Sequence, residues 1–388
     1  MRLSPPARPN TLTADARSPG GDNLSSPGIK VAESTPIEEG MRLDAELIKR
    51  LVSTPGVSGR EERIRGVVAK ELADLVDEVR TDKLGNLLGV RRGTAPRVML
   101  CAHMDSIGFL VSHVDDEGYL RISPVGGFDP RTLVTQRVLV EGRNDYIGLL
   151  TPATKPIHLQ KGDEERNKAP RLEDFYVDLM LSSDEVKATV SIGDPVTLLR
   201  EPIVTERAVT APYLDDRLGC YVLLEALRRV EDAGAEVYAV VSVQEEVGLR
   251  GATTSTFGID PDIGIALDVT IAHDVPGRDP KQPTPQLGCG VVLGVMDSGS
   301  ISDPRLLRRF RDLAEQHDIS HELEVMLGGG TDAGGMQLAG AGVPVVTIST
   351  PVRYVHTANE MALVSDIEAT IELVVRFVET ANEVELEW

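Results

Sequence analysis

The chain has 388 residues, 26% of them charged and 41% hydrophobic, values ordinary for a globular protein that buries a substantial core. With 40 Lys+Arg against 61 Asp+Glu its formal charge is −21, which argues against an anionic membrane or a nucleic-acid backbone as the main partner. Three scattered cysteines are too few for a disulfide framework and point to a reducing, cytoplasmic setting. No apolar run approaches the ~18 residues of a membrane span, and no apolar signal-peptide core opens the chain.

Residues 1–40 stand apart. They hold six prolines and no aromatic residue, a composition that cannot bury enough apolar surface to offset the entropy of ordering, so a disordered extension is expected. From Met41 the apolar spacing predicts helices over 44–52 and 61–76, with short strands at 86–90 and 97–101. The middle of the chain, 116–206, reads as short strands separated by Gly and Pro, the pattern of a small all-β barrel inserted into another domain. After 207 a strand–helix rhythm sets in: helix 216–230, strand 237–243, helix 250–257 and strand 263–267. It continues with helix 304–317, strand 322–326, helix 332–341, strand 344–349 and helix 365–382. The expected fold is therefore α/β, a mixed sheet with helices on both faces, interrupted by the barrel. The divisions are 1–40, 41–115, 116–206 and 207–388, the second and fourth forming one catalytic domain.

Metal-type ligands concentrate where predicted strands end. One strand delivers Ala102-His103-Met-Asp105, another Gln244-Glu245-Glu246, a third Asp268-Val-Thr270, while Tyr213-Leu-Asp215-Asp216 opens a helix. In open α/β sheets ligands bind outside the carboxyl ends of strands, so these segments could converge there. One His among several carboxylates suits Zn²⁺, Mn²⁺ or Co²⁺. His103-X-Asp105 looks like a ligand with its orienter, and adjacent acids such as Glu245-Glu246 suit a general base beside a ligand. Each fragment alone has a plainer reading: acid pairs are usually solvated faces or helix caps, and Asp216 is placed to cap its helix.

The ordered set is more specific. His103-Met-Asp105-Ser-Ile-Gly108, Leu214-Asp-Asp-Arg-Leu-Gly219, Gln244-Glu-Glu-Val-Gly-Leu-Arg-Gly251, Leu267-Asp-Val-Thr270, Gly328-Gly-Gly-Thr-Asp332 and Arg353-Tyr-Val-His356 resemble, in order, the tetrahedral (TET-type) dinuclear zinc aminopeptidases. That family includes glutamyl and deblocking aminopeptidases and proteins once called endoglucanase M. The likeness runs from about 41 to 382 and includes Glu165-Arg-Asn-Lys-Ala-Pro170 in the insert. It implies two divalent ions per subunit, zinc first, with cobalt or manganese as alternatives. His103 and Asp268 would hold one ion, Glu246 and His356 the other, and Asp215 would bridge them. Glu245 would be the general base, Asp105 would orient His103, and the Asp215–Asp216 peptide would be cis. The resemblance further implies hydrolysis of the N-terminal bond of short peptides, and self-association through the inserted barrel into a dodecamer built from dimers.

Two positions depart from the pattern. Ser106 stands where many members carry an acid, and His273 lies close in sequence to Asp268, as an extra metal or substrate contact would. Arg250 and Arg278 are the nearby cations that would favour acidic side chains if they lined the pocket. Rival readings are another dinuclear amide hydrolase (deblocking or deacylating), a glycoside hydrolase, or a scaffold without catalysis. Aromatic residues at 4% count against sugar binding, and a complete ligand set counts against a silent scaffold.

Overall fold

The computed structural model describes residues 43–278 and 284–386. The extension expected over 1–40 lies outside them. Asp44 accepts from the Leu47 N–H at 2.9 Å and caps helix α1 (Ala45–Ser53), which buries Leu47, Ile48, Leu51 and Val52. Helix α2 (Glu62–Leu72) ends before the predicted 76, because Leu75 turns back to donate to the Leu72 carbonyl. Strand β1 (Glu78–Thr81) escapes the sequence pattern, being exposed and charged; it pairs antiparallel with β2 (Leu87–Arg91). In β3 (Arg97–His103), Val98, Leu100 and Ala102 join one core while Met99 and Cys101 join another. A near-continuous apolar run is what a strand buried on both faces requires.

The chain then leaves the sheet. Strands β4 (Gly108–Val114), β5 (Leu120–Val125), β6 (Gln136–Glu141), β7 (Asp145–Pro152), β8 (Phe175–Asp178) and β9 (Pro195–Leu198) close an antiparallel barrel in the order β4-β5-β8-β7-β6-β9. Alternate residues such as Phe109/Val111 and Val138/Val140 fill its interior. Only short helices interrupt it, α3 (Gly162–Asn167) and α4 (Ser183–Thr189). Its first strand precedes residue 116, because Gly108-Phe-Leu-Val follows β3 so closely that pattern alone assigns both to one domain.

Beyond β10 (Ile203–Val204) and β11 (Ala208–Ala211), the chain re-enters the α/β layer. There follow α5 (Leu214–Arg229), β12 (Glu236–Ser242), α6 (Arg250–Ile259), β13 (Ile263–Ile271), β14 (Val291–Met296), α7 (Pro304–Gln316) and β15 (His321–Val325). The last elements are α8 (Asp332–Gln337), β16 (Val345–Val352), β17 (Glu360–Leu363) and α9 (Val364–Glu379). The large sheet has the order β1-β2-β12-β3-β13-β16-β14-β15, and β10, β11 and β17 form a smaller one. The central strands β12, β3, β13 and β16 are mutually parallel, while β2 runs against both its neighbours and β14 runs against β16 but parallel to β15. One face is covered by α1, α2, α5, α7 and α9, the other by α6 and α8.

Three differences from the expected elements have local causes. Helix α8 ends at Gln337 rather than 341, because Gly340 and Gly342 take positive φ. Strand β13 runs to Ile271 rather than 267, since Asp268 through Ile271 pair with Ser349 through Val352. Strand β14 went unread because glycines punctuate it. At Gly290 (φ +86°) an added Cβ would stand 1.9 Å from the Ser320 carbonyl oxygen, so only glycine allows that close crossing.

Candidate metal centre

Because β3, β12, β13 and β16 are parallel, their carboxyl ends open on one side of the sheet, where a cavity of about 490 Å³ lies. His103 is the last residue of β3, Glu245 and Glu246 follow β12, Asp268 lies within β13, and His356 follows β16. Asp215 enters from the start of α5, where Asp215 and Asp216 leave helical geometry and the peptide between them is cis. All six line the cavity.

Two groups emerge among the described residues, one of His103, Asp215 and Asp268, the other of Asp215, Glu246 and His356. Within each, donor atoms lie no more than 4.8 Å apart. Asp215 belongs to both: its Oδ1 stands 3.1 Å from His103 Nε2 and its Oδ2 3.3 Å from His356 Nε2. His356 Nε2 lies 3.5 Å from Glu246 Oε2, and Glu245 Oε2 lies 3.9 Å from His103 Nε2.

The electrostatics are those of carboxylates crowded in low dielectric. Burial pushes Glu245 and Asp268 well above the usual carboxylate range and Glu246 up to about 8, despite the nearby imidazoles. Asp215 is also buried, yet hydrogen bonds from both histidines hold it below its ordinary value. Burial pulls His356 down, but Asp215 and Glu246 outweigh it and raise this histidine to about 9. Glu246 Oε1 is buried without a hydrogen-bond partner, as a ligand oxygen would be. Imidazole nitrogens and carboxylate oxygens at this spacing fit divalent ions of the zinc type.

Around these groups, buried carboxylates grip backbone amides. Asp105 accepts from the N–H of Glu245 at 3.0 Å, from that of Glu246 at 3.3 Å and from Ser58 Oγ at 2.6 Å. Its contact with the imidazole is looser, since His103 Nδ1 lies 3.1 Å from the Asp105 carbonyl oxygen and 3.6 Å from its carboxylate. A carbonyl can only accept, so Nδ1 carries the proton and Nε2 faces the cavity. Asp216 accepts from the N–H of His103 at 3.1 Å and caps its helix through the Gly219 N–H at 2.9 Å. Glu360 accepts from Asp215 at 3.0 Å and from His356 at 2.7 Å.

Sequence reasoning left Glu360 and Ser58 unnoticed, and no local signal marks them. Ser106, where an acid was expected, is buried and stitches to the Gly56 carbonyl, which brings Ser58 against Asp105. His273 is exposed and does not line the cavity, and neither do Arg250 and Arg278. Arg250 instead binds the Gln244 side chain at 3.0 Å.

Comparison with known proteins places these observations. Residues 85–373 match the family model described as M42 glutamyl aminopeptidase. A lysyl aminopeptidase of Pyrococcus furiosus is 38% identical over 342 residues, covering 85% of this chain and 95% of its own. An aminopeptidase structure from the archaeon Desulfurococcus kamchatkensis superposes with a TM-score of 0.81 at 38% identity, covering 86% of this chain and 94% of that one. The TET1 peptidase of Pyrococcus horikoshii, described as assembling into a tetrahedron or a large octahedral shell, gives a TM-score of 0.77 at 30% identity. That match covers 86% of this chain and 98% of the other.

Proposed function

We propose, for a chain that belongs to the M42 glutamyl aminopeptidase family and is a metal-dependent aminopeptidase, that its cavity works through two divalent ions and one carboxylate base. The observation that carries this reading is Asp215, whose two oxygens face two separate His/carboxylate groups. His103 and Asp268 would hold one ion, Glu246 and His356 the other, and Asp215 would bridge them. Zinc is the metal we favour.

The ions, when bound, supply Lewis-acid polarisation of the scissile carbonyl and a more acidic water. The chain does the rest. Burial alone favours the protonated form of Glu245, but beside two bound cations it is ionised, so its carboxylate receives the proton of the attacking water and passes it to the leaving amine. Asp105 holds the Glu245 and Glu246 amides, so base and ligand keep one spacing. The substrate's free α-amino group sits at the carboxylate end of the cavity, which makes the enzyme an exopeptidase. Leu249, Val269, Ile271, Met326 and Val355 furnish an apolar wall, and among the described residues no Lys or Arg lines the cavity, so uncharged side chains are the better fit.

Assembly belongs to the same reading. Ile147 and Met180 stand 56% and 68% exposed on the barrel segment, as residues of a subunit contact would. We take that segment, read from the sequence as 116–206, as the dimerisation unit of a dodecamer. A cytoplasmic location fits three cysteines that are all unpaired.

Hydrolysis of aminoacyl-p-nitroanilides with and without EDTA tests the proposal, each substrate being compared with its N-acetylated form. Metal-dependent cleavage of free-amine substrates alone is expected. Cleavage of blocked substrates would replace it with a deblocking activity.

A further inference from the structure

Glu360 is 1% exposed and lies at the start of β17, with both carboxylate oxygens spent on backbone amides. Oε2 accepts from Asp215, and Oε1 accepts from His356. We propose that Glu360 is a positioning residue which sets the Asp215–Glu246–His356 group by holding two of its members in register. The inference rests on the two-ion reading above.

The two grips are not equal in consequence. The Asp215 segment has further anchors, since its neighbour Asp216 is tied to the His103 and Gly219 amides. His356 has fewer. Its loop joins β16 to β17, and both Tyr354 and His356 adopt φ +63°, a left-handed conformation costly for residues with a side chain. Strand pairing holds Arg353 to Met361 at the base of this loop. Inside it, the His356 amide is held by Glu360. Removing that acceptor frees the loop to relax, and the imidazole swings away from Asp215 and Glu246. The His103–Asp215–Asp268 group keeps its strand-borne ligands. Glu360 therefore acts on one ion more than on the other.

The test uses chelator-treated full-length protein titrated with Co²⁺, read by visible absorption and by calorimetric stoichiometry. Wild type should take up two ions. Glu360→Gln keeps the shape, but its amide group can accept from only one of the two N–H donors. It should mimic His356→Ala, weakening one ion by roughly 10–100-fold and sparing the other. The metal-free protein should stay folded, its melting temperature falling only by the modest amount that one buried N–H left without an acceptor requires. Glu360→Asp, with the charge but a shorter reach, should show the same selective loss. Wild-type affinity for both ions in Glu360→Gln, or full rescue by Glu360→Asp, would overturn the inference. So would equal loss of both ions with a large fall in the metal-free melting temperature, which marks a general structural role. Uptake of fewer than two ions by wild type would instead sink the two-ion reading, and this inference with it.

Discussion

The Glu245 amide donates to Oδ1 of Asp105 at 3.0 Å, joining residues 140 apart in sequence. Asp105 is fully buried, and its other oxygen takes the Glu246 amide and the Ser58 hydroxyl. One carboxylate thus fixes the backbone of the proposed base and of the adjacent ligand. Asp105→Asn replaces an acceptor with a donor that faces donors. The expected outcome is a fall in metal affinity or kcat/KM of about 10–100-fold, measured by metal analysis and steady-state kinetics. Ser58→Ala removes only one of these bonds and should cost less.

Glu245 and Asp215 should separate catalysis from binding. Glu245→Gln removes a proton acceptor but no ligand, so metal content should match wild type while kcat drops by about 10²–10⁴. Asp215→Ala removes the oxygens shared by both groups, so both metal content and activity should fall. Full turnover in Glu245→Gln would eliminate it as the base, and wild-type metal content in Asp215→Ala would eliminate the bridge.

Glu61 gives the chain a pH-dependent stability. Burial raises this carboxyl to about 7, against which the Gly59 amide is the main opposing hydrogen bond. The folded pKa lies above the unfolded value of 4.5, so the fold favours the protonated form. Its stabilising contribution is complete below pH 4.5 and is lost as pH rises through about 7. Urea midpoints of wild type should fall between pH 5 and pH 8 relative to Glu61→Gln, which has no proton to lose there. Parallel midpoints in the two proteins would show that Glu61 ionises freely in the fold.

Substrate preference follows from the cavity wall. Among the described residues lining the cavity no Lys or Arg stands ready to pair with an N-terminal glutamate, whereas an aliphatic side chain meets Met326, Ile271 and Val355. The kcat/KM for leucyl-p-nitroanilide should exceed that for the glutamyl substrate by at least tenfold, about 1.4 kcal/mol in transition-state binding. A preference for the glutamyl substrate would show that a cation outside this wall reaches the pocket.

A structural control lies far from the site. Phe310 of α7 and Phe377 of α9 are both fully buried and stack with ring centroids 4.3 Å apart. Phe377→Ala should destabilise the protein by about 3–5 kcal/mol, read as a lowered urea midpoint. Metal stoichiometry of the protein that remains folded should be unchanged.

Much of this was legible locally. The apolar runs of β3, β12 and β13 and the amphipathic spacing of α1, α7 and α9 are short-range patterns, and they placed the main elements within a few residues. His103, Glu245 and Glu246, at or just past strand ends, and Asp268, toward the carboxyl end of β13, were readable because parallel strands must present their carboxyl ends on one side. Charged β1, glycine-broken β14 and four-residue β17 had no such pattern, and pairing with neighbours made them strands.

The distinction is one of range. Residue type and spacing settled the α/β alternation, the barrel insert and the metal-type donors, because each depends on a few adjacent positions. They could not say which of 61 acidic residues would be buried, since a carboxylate reads alike in solvent and in a core. Asp105, Asp216 and Glu360 took the amides of Glu246, His103 and Asp215 only when segments distant in sequence were brought within 3.3 Å. Folding alone does that, by closing water out around them and leaving those N–H groups as the partners in reach.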